Sequence, residues 1–464
     1  MSWTVEEILQ ATGGQLVRGA ASGVASGLSI DSRRLAAGEA FVAIRGHRFN
    51  GHDFLQEAVR RGASCLVVSR RLNDIPGPSS LPLVFVEETT RALGDLARFH
   101  RRRHTCPVIA VTGSCGKTTT KELIAHLAGA AGDVLKSRGT QNNHIGVPLT
   151  LLQLAPRHQL AVVELGMNHP GEIAYLASIA QPDVAVITNV GPVHLEFLGS
   201  VAGVMREKLS LLDVIPPEGT VVLPGDQLDV CLEAQRHLRP RVRVATFGTT
   251  DRCDLQALDL QRASEGMRIR LRDHLDQWTV PLLGTHNVEN TLAAVTCLWA
   301  LGLPLSIAKE RLPSFEPIPL RSQIVRCDGL TILNDCYNAN PLSFARALET
   351  LVAMGVRRTV AIVGDMLELG AYAPSAHQAI GHLATRLGVD TVLAVGQYAE
   401  DVAEGVHHGR GDGVATYRTV PELIEQLPQM LREGDGLLVK GSRKLNLEQV
   451  TDFLIRSSHG GSAR

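Results

Sequence analysis

The chain has 464 residues, and its 46 basic and 47 acidic side chains give a formal net charge of −1 at pH 7. This balance excludes the strongly basic surface by which many proteins bind nucleic acids or anionic membranes. Hydrophobic residues make up 44% of the chain, which is enough for several buried cores. A chain of this length is expected to divide into roughly two to four domains.

The eight cysteines form no C-x-x-C pair and show no spacing typical of a metal site. We therefore expect reduced thiols. The N-terminal residues MSWTVEEILQ lack the basic and apolar regions of a signal peptide, and no apolar run approaches the roughly 18 residues of a membrane span. These features predict a cytoplasmic protein with no membrane span and no nucleic-acid partner.

In chain order, residues 1–88 alternate short strands and helices around the glycine-rich segment RGHRFNGHDF (45–54). In residues 89–314 the buried-strand candidates are Val108–Val111, Leu160–Val163 and Val184–Ile187. Their alternation with helices is typical of a parallel sheet covered on both faces. Residues 242–283 instead alternate polar and apolar side chains, which predicts an antiparallel insertion.

A proline-rich connector, Pro313–Pro319, ends the central region. A hairpin-like pair follows it, Ser322–Val325 and Thr331–Leu333, and then a third α/β alternation with strands at Val360–Val363, Thr391–Val395 and Gly436–Val439. The predicted fold class is α/β in three domains. These are a small N-terminal domain (1–88), a central domain of the phosphate-loop type with a parallel sheet (89–314) and a Rossmann-like C-terminal domain (315–464).

The stretch PVIAVTGSCGKTTT (107–120) carries the strongest chemical signal. A strand, a glycine loop and a helical pattern from Lys121 follow one another, so loop N–H groups and the positive helix end would surround a phosphate. Val111 replaces the first glycine of the usual motif, and the alternative is a plain glycine turn. We predict a nucleotide phosphate loop composed of Gly113, Ser114, Cys115, Gly116, Lys117, Thr118 and Thr119.

Polar side chains follow two further predicted strands, at the sheet edge where ligands of open α/β sheets bind. Glu164 ends one strand and is a candidate Mg²⁺ ligand; its alternative is a capping or surface glutamate. His194 follows Thr188 and Asn189 after the next strand. It is a second candidate, with a simply hydrogen-bonded histidine as the alternative.

Cys115 lies in the glycine loop two residues before Lys117. A helix N-terminus and a nearby lysine both stabilise a thiolate, which predicts a lowered pKa for this thiol and rapid alkylation. The alternative is a side chain directed into the core, where burial raises the pKa.

Five segments occur in order along the chain: TGSCGKTT, NNHIGVPLT, ELGMNHPGEI, TNVGPVHLEFLGS and HNVENTLAA. Together they resemble the Mur ligases, the ATP-dependent amide-forming enzymes of bacterial peptidoglycan synthesis. Three further segments, DSRRLAAGEAFVAIRGHRFNGHDF, NDCYNANPLSF and VGDMLELG, with KGSRKLNLEQV near the end, resemble the branch that joins D-alanyl-D-alanine to UDP-N-acetylmuramoyl-tripeptide. No DNPR-like segment appears, which argues against the ligase that adds the third peptide residue.

The resemblance implies ATP and Mg²⁺ as cofactors. Lys117 matches the family's phosphate-loop lysine, and Thr118 matches its Mg²⁺-binding hydroxyl. Glu164 and His194 match the ligands of a second Mg²⁺, and Lys208 matches a lysine that CO₂ converts to a carbamate. Without the resemblance, Lys208 would be interpreted as a solvated helix lysine.

Asn287 and Asn290 match the pair that contacts adenine, since an amide can both donate and accept; a helix cap is the alternative. Arg321 matches an arginine that reaches the γ-phosphate, and Asp335 belongs to the loop that closes on ATP. The implied substrate contacts are Tyr337 and Asn338 for the dipeptide, with Ser32, Arg33, Arg45, Gly46, Asn50, Gly51, His52, Asn142 and Asn143 for the UDP-sugar substrate.

The implied partners are UDP-N-acetylmuramoyl-tripeptide and D-alanyl-D-alanine, and a monomer is expected. The implied reaction passes through an acyl phosphate that the dipeptide amine attacks. Two alternatives remain. One is another amide ligase of the same architecture, such as a folylpolyglutamate synthase, and the other is a nucleotide-dependent switch that hydrolyses ATP without ligating anything.

Overall fold

The structure is a computed structural model that describes residues 2–46, 48–70, 76–263, 266–274 and 276–460. Residues 458–460 are described by their backbone alone. His47, which belongs to the predicted UDP-sugar segment, lies outside the described residues. The chain forms two compact units. The first comprises Met1–Val108, Leu135–Gly166 and Tyr175–Pro182, and the second comprises Ile109–Val134, Met167–Ala174 and Asp183–Arg464.

Short elements fill the N-terminal part of the chain. Its strands are β1 (Trp3–Thr4), β2 (Gln15–Arg18), β3 (Val24–Ala25), β4 (Leu28–Ser29), β5 (Ala40–Val42), β6 (Cys65–Val68) and β7 (Leu83–Phe85). Its helices are α1 (Val5–Thr12), α2 (Leu55–Arg60) and α3 (Thr89–Arg101), with a 3₁₀ turn at Gly51–Phe54.

Longer strands and helices alternate in the middle of the chain. The strands are β8 (Val108–Thr112), β9 (Asp133–Lys136), β10 (His158–Glu164), β11 (Val184–Ile187), β12 (Thr220–Pro224), β13 (Arg243–Gly248), β14 (Leu255–Ala263), β15 (Gly266–Leu271) and β16 (Gln277–Val280). The helices are α4 (Lys117–Ala128), α5 (Gly146–Leu151), α6 (Glu172–Ala180), α7 (Leu195–Leu198), α8 (Val201–Leu209), α9 (Leu228–Ala234), α10 (Thr285–Ala300) and α11 (Leu305–Arg311), with 3₁₀ turns at Ser210–Val214 and Leu312–Ser314.

The C-terminal part repeats this alternation. Its strands are β17 (Gln323–Cys327), β18 (Leu330–Asn334), β19 (Arg358–Gly364), β20 (Thr391–Val395), β21 (Val414–Tyr417) and β22 (Asp435–Lys440). Its helices are α12 (Pro341–Ala353), α13 (Ala373–Arg386), α14 (Ala399–His408), α15 (Val420–Met430) and α16 (Glu448–Gly460), with 3₁₀ turns at Gly370–Tyr372 and Arg443–Leu445.

The first unit is built on a five-stranded sheet in the order β2-β7-β6-β5-β4. The pairs between β4 and β7 are parallel, and β2 is an antiparallel edge strand. All four residues of β6 are buried, as expected for a parallel strand covered on both faces. Strand β10 also belongs to this unit, and β9 is divided between the two units after Val134.

The second unit contains two sheets. In the first, the strands run in the order β16-β15-β14-β13-β12-β11-β8. Strands β8, β11, β12 and β13 are parallel, and the start of β14 also pairs parallel with β13. The pairs β14–β15 and β15–β16 are antiparallel. The structure therefore confirms the parallel sheet and the antiparallel insertion, although β13 within the predicted 242–283 segment joins the parallel part.

The second sheet of this unit has the order β17-β18-β22-β19-β20-β21. Strands β17 and β18 form the predicted antiparallel hairpin, and the other pairs are parallel. Separate apolar clusters, one with α12 and α13 and one with α15 and α16, pack on this sheet. The predicted α/β class is confirmed, whereas the boundaries of the three predicted domains stay a prediction. Among the described residues, no helix has the length and apolar character that crossing a membrane requires.

Candidate active site

The predicted phosphate loop lies between β8 and α4, and α4 begins at Lys117 instead of the predicted Lys121. Its N-cap is Gly116, with φ 80°, a left-handed conformation that glycine adopts without a steric penalty. A Cβ at Gly116 would lie 2.0 Å from Asn290 Oδ1, and one at Gly113 would lie 1.8 Å from Thr188 Oγ1. Both glycines are therefore required by close packing around the loop.

The loop is held by residues at the end of β11. The Cys115 N–H donates to Asn189 Oδ1 at 2.9 Å, and the Ser114 N–H donates to the Asn189 carbonyl at 3.0 Å. Thr188 Oγ1 donates to the Cys115 carbonyl at 2.5 Å. Lys117 Nζ donates to the Gly113 carbonyl at 2.8 Å and so spans the loop. Thr188 and Asn189 thus fix the loop's shape, a role that their position after a strand did not reveal.

The prediction of a lowered pKa for Cys115 is wrong. Its Sγ lies 3.3 Å from Asn340 Oδ1, and burial, the largest influence, raises the pKa of this thiol. The positive charge of Lys117 acts in the opposite direction but is outweighed. The alternative interpretation, a thiol turned toward protein, is the one that the structure supports.

Asn287 and Asn290 are buried in α10, whose N-cap is Gly284. The proposed helix-cap role is therefore wrong for both asparagines. Asn287 Nδ2 donates to the Leu283 carbonyl at 2.8 Å, and Asn290 Nδ2 donates to Asn287 Oδ1 at 3.1 Å. Since Asn290 also packs against Gly116, this pair supports the phosphate loop, and its contact with adenine stays a prediction.

Lys208 is buried in α8, with 1% of its surface exposed. Burial and then the positive charge of Lys117 lower the pKa of Lys208 well below its ordinary value. The neighbouring Glu207 accepts hydrogen bonds from the N–H groups of Gly171 and Ile173, both at 2.8 Å. The sequence could not distinguish this buried, easily deprotonated amine from a solvated lysine.

His194 follows β11 and caps α7 in a left-handed conformation, with φ 52°. Its Nδ1 lies 2.5 Å from Glu368 Oε2. This hydrogen bond is the largest influence on the Glu368 carboxyl and holds its pKa below the usual range. His194 is thus a paired histidine, and Glu368, which the sequence prediction left without a role, is its partner.

Arg321 and Tyr337, predicted to serve nucleotide and substrate, lie together. The guanidinium carbon of Arg321 is 4.1 Å from the centroid of the Tyr337 ring, within the range of a cation–π contact. The Tyr337 N–H donates to the Leu320 carbonyl at 3.1 Å, next to Arg321 in the chain.

Asp335 organises the loop that contains Tyr337 and Asn338, the residues predicted to contact the dipeptide. Its Oδ1 accepts from the Ser322 N–H at 2.9 Å, and its Oδ2 accepts from Lys440 Nζ at 2.5 Å. Lys440 Nζ also donates to the Asn338 carbonyl at 3.1 Å. Because Lys440 is 2% exposed, its charge is balanced almost entirely by this loop.

A cavity of about 280 Å³ brings several of these groups together. From the predicted site it is lined by Ser114, Lys117, His194, Tyr337 and Asn338. The sequence prediction missed its other polar lining residues, which are Asn340, Glu368, Ser442, Arg443 and Lys444. These residues lie in the segments on which the family resemblance rests. That location was the only sequence feature that could have identified them as site residues.

In the first unit, the predicted UDP-sugar residues form local hydrogen bonds. Arg33 forms an ion pair with Asp31 at 2.9 Å, and 84% of its side chain is exposed. Arg45 pairs with Asn50 in an isolated β-bridge, and the Gly46 N–H donates to the Phe49 carbonyl at 2.9 Å. Arg33 and Arg45 are exposed near turns, so an anionic substrate could reach their guanidinium groups. Their role in binding the UDP-sugar substrate stays a prediction.

His52 is buried and already bonded through both ring nitrogens. Nδ1 lies 2.9 Å from Asn50 Oδ1, and Nε2 accepts from the Ser69 N–H at 2.9 Å. Burial is the main cause that lowers the pKa of His52. Gly51 has no room for a side chain, since a Cβ would lie 2.7 Å from the Ile44 nitrogen. Gly51 and His52 thus shape this turn, and Ser32 is buried in a separate turn at residues 32–34.

Glu164, Asn142 and Asn143 also lie in the first unit. Glu164 is 1% exposed, and its Oε1 accepts from Asn142 Nδ2 at 2.8 Å. Asn143 Oδ1 accepts from the N–H groups of Ile145 and Gly146 at the start of α5. Glu164 is therefore not a surface glutamate, and its role as a metal ligand stays a prediction.

Three profiles of one protein family match the chain. "Mur ligase family, catalytic domain" matches residues 24–101, "Mur ligase middle domain" matches 111–298, and "Mur ligase, glutamate ligase domain" matches 320–443. The matched segments contain the phosphate loop, His194, Lys208 and the residues that line the cavity, except Lys444. The first profile lies in the first unit, and the other two contain the site residues of the second unit.

The chain is 36% identical to the UDP-N-acetylmuramoyl-tripeptide–D-alanyl-D-alanine ligase of Escherichia coli (strain K12), over 92% of this chain and 93% of that one. It is 33% identical to the ligase of the same name from Bacillus subtilis (strain 168), over 94% of both chains. Its fold is similar to MurF from Acinetobacter baumannii, with TM-score 0.88, 30% identity and coverage of 98% and 99%. It is also similar to MurF ligase from Thermotoga maritima in complex with ADP, with TM-score 0.84, 27% identity and coverage of 94% and 98%. The chain belongs to the Mur ligase family.

Proposed function

We propose that this ligase joins D-alanyl-D-alanine to UDP-N-acetylmuramoyl-tripeptide at the expense of ATP, which gives the UDP-N-acetylmuramoyl-pentapeptide of cytoplasmic peptidoglycan synthesis. The named relatives support this assignment because they match the chain over more than nine tenths of its length. The observation that carries this proposal is the cavity, which Lys117 of the phosphate loop lines together with Tyr337 and Asn338, two residues that follow β18 of the other sheet. ATP and an acceptor amine could meet there.

Amide formation first requires a better leaving group on the tripeptide carboxylate. A carboxylate oxygen attacks the γ-phosphorus of ATP, and the bond from this phosphorus to the β,γ-bridging oxygen breaks. ADP departs, and the tripeptide carboxylate has become an acyl phosphate. Lys117 in the loop and Arg321 beside Tyr337 are the proposed cations that offset the developing negative charge. Thr188 and Asn189 hold the loop in position before the nucleotide arrives, which lowers the cost of organising it.

The ammonium group of the dipeptide first releases a proton to solvent, and the free amine attacks the acyl carbon. The tetrahedral intermediate collapses, the carbon–oxygen bond to phosphate breaks, and inorganic phosphate leaves with the second proton of the nitrogen. The loop from Asp335 to Asn340, held by Lys440, would keep the amine and the acyl phosphate together and exclude water, which otherwise hydrolyses the intermediate.

Mg²⁺ is the metal that the family implies, and the residues present fit it. Thr118 is buried at the start of α4, and Lys208 has the lowered pKa that favours reaction of its amine with CO₂. Within the described residues no three His, Cys, Asp or Glu side chains form a metal site. Further oxygens would therefore come from a carbamate and the nucleotide. We propose Thr118, Glu164, His194 and Lys208 as ligands, and the bound metal would neutralise phosphate charge.

The test is a phosphate-release assay with Mg-ATP and UDP-N-acetylmuramoyl-tripeptide, with and without D-alanyl-D-alanine, using tripeptides that end in diaminopimelate or lysine. We expect phosphate release that depends on the dipeptide, and a product whose mass corresponds to the pentapeptide. ADP formation that is independent of the dipeptide would support the hydrolysing switch instead. Turnover with glutamate as the acceptor would support a different amide ligase.

A further inference from the structure

Two cations without an assigned role line the cavity of the second unit. Arg443 and Lys444 contribute to the same 280 Å³ space as Lys117 and Tyr337. Both follow the end of β22, so they come from the second sheet, whereas Lys117 comes from the phosphate loop of the first. The cavity therefore has positive charge on a wall that is separate from the phosphate loop.

The Arg443 guanidinium is held in place. Its Nη1 donates to Glu448 Oε1 at 2.7 Å, and Glu448 is the first residue of α16. About half of the Arg443 side chain remains exposed, so a ligand can reach it. A guanidinium that is already oriented loses less conformational freedom when it binds a carboxylate, and its planar donor geometry matches that group.

The segment that carries both cations is fixed to the sheet. The Ser442 N–H donates to the Asp365 carbonyl at 2.9 Å, and Ser442 Oγ accepts from the Leu367 N–H at 3.0 Å. A Cβ at Gly441 would lie 2.5 Å from Leu447 Cδ1, so the backbone packs too closely for a side chain there. The positions of the two cations are thus set by the ends of β19 and β22.

One carboxylate also lines the cavity beside these cations. Glu368 lines the same cavity, and the positive charge of Lys444 contributes to its lowered pKa. Leu367 and Ala339 add apolar surface beside them. A small zwitterionic peptide with methyl side chains has groups that complement all three parts of this lining.

We propose that Arg443 and Lys444 bind the terminal carboxylate of the incoming dipeptide and so select an acceptor with a free C-terminus. This inference rests on the proposed function. A carboxylate bound at Arg443 leaves the amine of a two-residue peptide free to extend toward the phosphate-loop side of the cavity, where the acyl phosphate forms. An acceptor with a blocked carboxylate would offer these two cations no negative charge, and Arg443 would keep only its pairing with Glu448.

The test compares D-alanyl-D-alanine with its C-terminal amide as acceptors for the wild type, Arg443→Gln and Lys444→Gln. The wild type is expected to use the free acid at least roughly tenfold more efficiently, which is typical of a charged hydrogen bond. Each variant should raise the KM for the dipeptide by a similar factor, leave the KM for ATP within about twofold, and lose most of the preference for the acid. Arg443→Lys should retain part of it, and Arg418→Gln, at an exposed arginine outside the cavity, should behave like the wild type.

The outcomes separate the two proposals. A wild type that does not ligate D-alanyl-D-alanine at all would overturn the proposed function. An active wild type that uses acid and amide equally, or variants that keep the wild-type KM and preference, would overturn only the role of Arg443 and Lys444. If a variant fails to fold, Glu448→Gln provides a second test. It removes the negative charge that holds Arg443 in place and should weaken the preference for the acid in the same direction.

Discussion

His194 and Glu368 share a hydrogen bond of 2.5 Å, and both occupy the left-handed region, with φ 52° and 64°. A residue with a side chain pays a steric cost in this conformation. His194 follows β11 of one sheet, and Glu368 follows β19 of the other. The bond therefore joins the two sheets. Because a carboxylate can only accept, Nδ1 is the donor, and in a neutral ring Nε2 then has the lone pair that a metal requires.

Replacing Glu368 with Ala should lower kcat roughly tenfold to hundredfold, because partners that orient a metal-binding histidine have effects of that size. The Mg²⁺ concentration for half-maximal activity should rise as well. Titration of activity with Mg²⁺ at saturating ATP measures both. Glu425→Ala, at an exposed glutamate of α15, is the matched control. A Glu368→Ala enzyme with the wild-type Mg²⁺ dependence would contradict the assigned relationship.

Lys117→Ala should abolish ligation while the fold is retained, since this lysine spans the phosphate loop and contributes no apolar core. We expect a loss of about three orders of magnitude in kcat/KM, as for removal of a principal contact to transition-state charge. Lys309→Ala, whose lysine forms an ion pair with Asp276 on the surface, should keep its activity. If Lys117→Ala retained more than about a tenth of the activity, the assignment of ATP binding to this loop would be wrong.

Gly116→Ala tests the close packing of the phosphate loop, and Gly302→Ala is its matched control. Gly116 and Gly302 have φ 80° and 79°, yet a Cβ at Gly302 meets nothing within 4 Å. Both variants carry a left-handed alanine, at a cost of about 1–2 kcal/mol. Only Gly116→Ala adds overlap with Asn290, for a further cost of about 1–3 kcal/mol.

Thermal unfolding and ATP binding measure the difference between the two glycine variants. The Gly116→Ala protein should melt at the lower temperature and should lose ATP binding, whereas Gly302→Ala should bind ATP normally. Equal melting temperatures and equal affinities would show that the loop can accommodate the additional carbon atom.

The strands were predictable because buried parallel strands consist of continuous apolar runs, as in β8 and β11. The start of α4 was not predictable, because its first turn is a polar run of lysine and threonine. Its N-cap can be identified only from the backbone conformation of Gly116. The pairing of His194 with Glu368 spans 174 residues. No local pattern encodes a contact at that separation, so the sequence could nominate His194 without identifying its partner.

Chemical type alone does not determine what a side chain does. Asn287 and Asn290 have amide groups that suit an adenine edge, and that contact stays a prediction, but the hydrogen bonds that the structure shows for them lie within the protein, next to the phosphate loop. Cys115 has the neighbours that stabilise a thiolate, but burial outweighs them. In both cases the sequence gives the functional group, and only the packing around it determines what that group does.

Acid should destabilise the second unit through His286. Its Nδ1 is buried without a hydrogen-bond partner among the described residues, and burial lowers the pKa of His286 from 6.5 to about 4. The unfolded chain therefore binds a proton more readily, and stability is lost as the pH falls from about 6.5 toward 4. Between about pH 7.5 and pH 5 this group should cost about 2 kcal/mol.

His286→Gln should therefore flatten the dependence of the free energy of unfolding on pH across this window, whatever its effect at neutral pH. The comparison of slopes is necessary because His100, with a pKa lowered to about 4, acts in the same direction in every variant. His408→Gln, at an exposed histidine, should keep the wild-type slope. If His286→Gln also kept it, another group would account for the acid sensitivity.

Cys115 should react slowly with iodoacetamide at neutral pH, because burial raises the pKa of its thiol and the side chain contacts Asn340. Burial also raises the pKa of Cys231 and Cys327, but these two partly exposed thiols are less deeply buried than Cys115 and are expected to be alkylated before it. Bound Mg-ATP should slow the labelling of Cys115 further, since the thiol lies in the loop that would hold the phosphates. Mass spectrometry of peptides after timed, limited alkylation, with and without nucleotide, measures each rate. Labelling of Cys115 ahead of the other two would restore the thiolate that its sequence context predicts, and it would mean that the loop opens enough in solution for Lys117 to stabilise the anion.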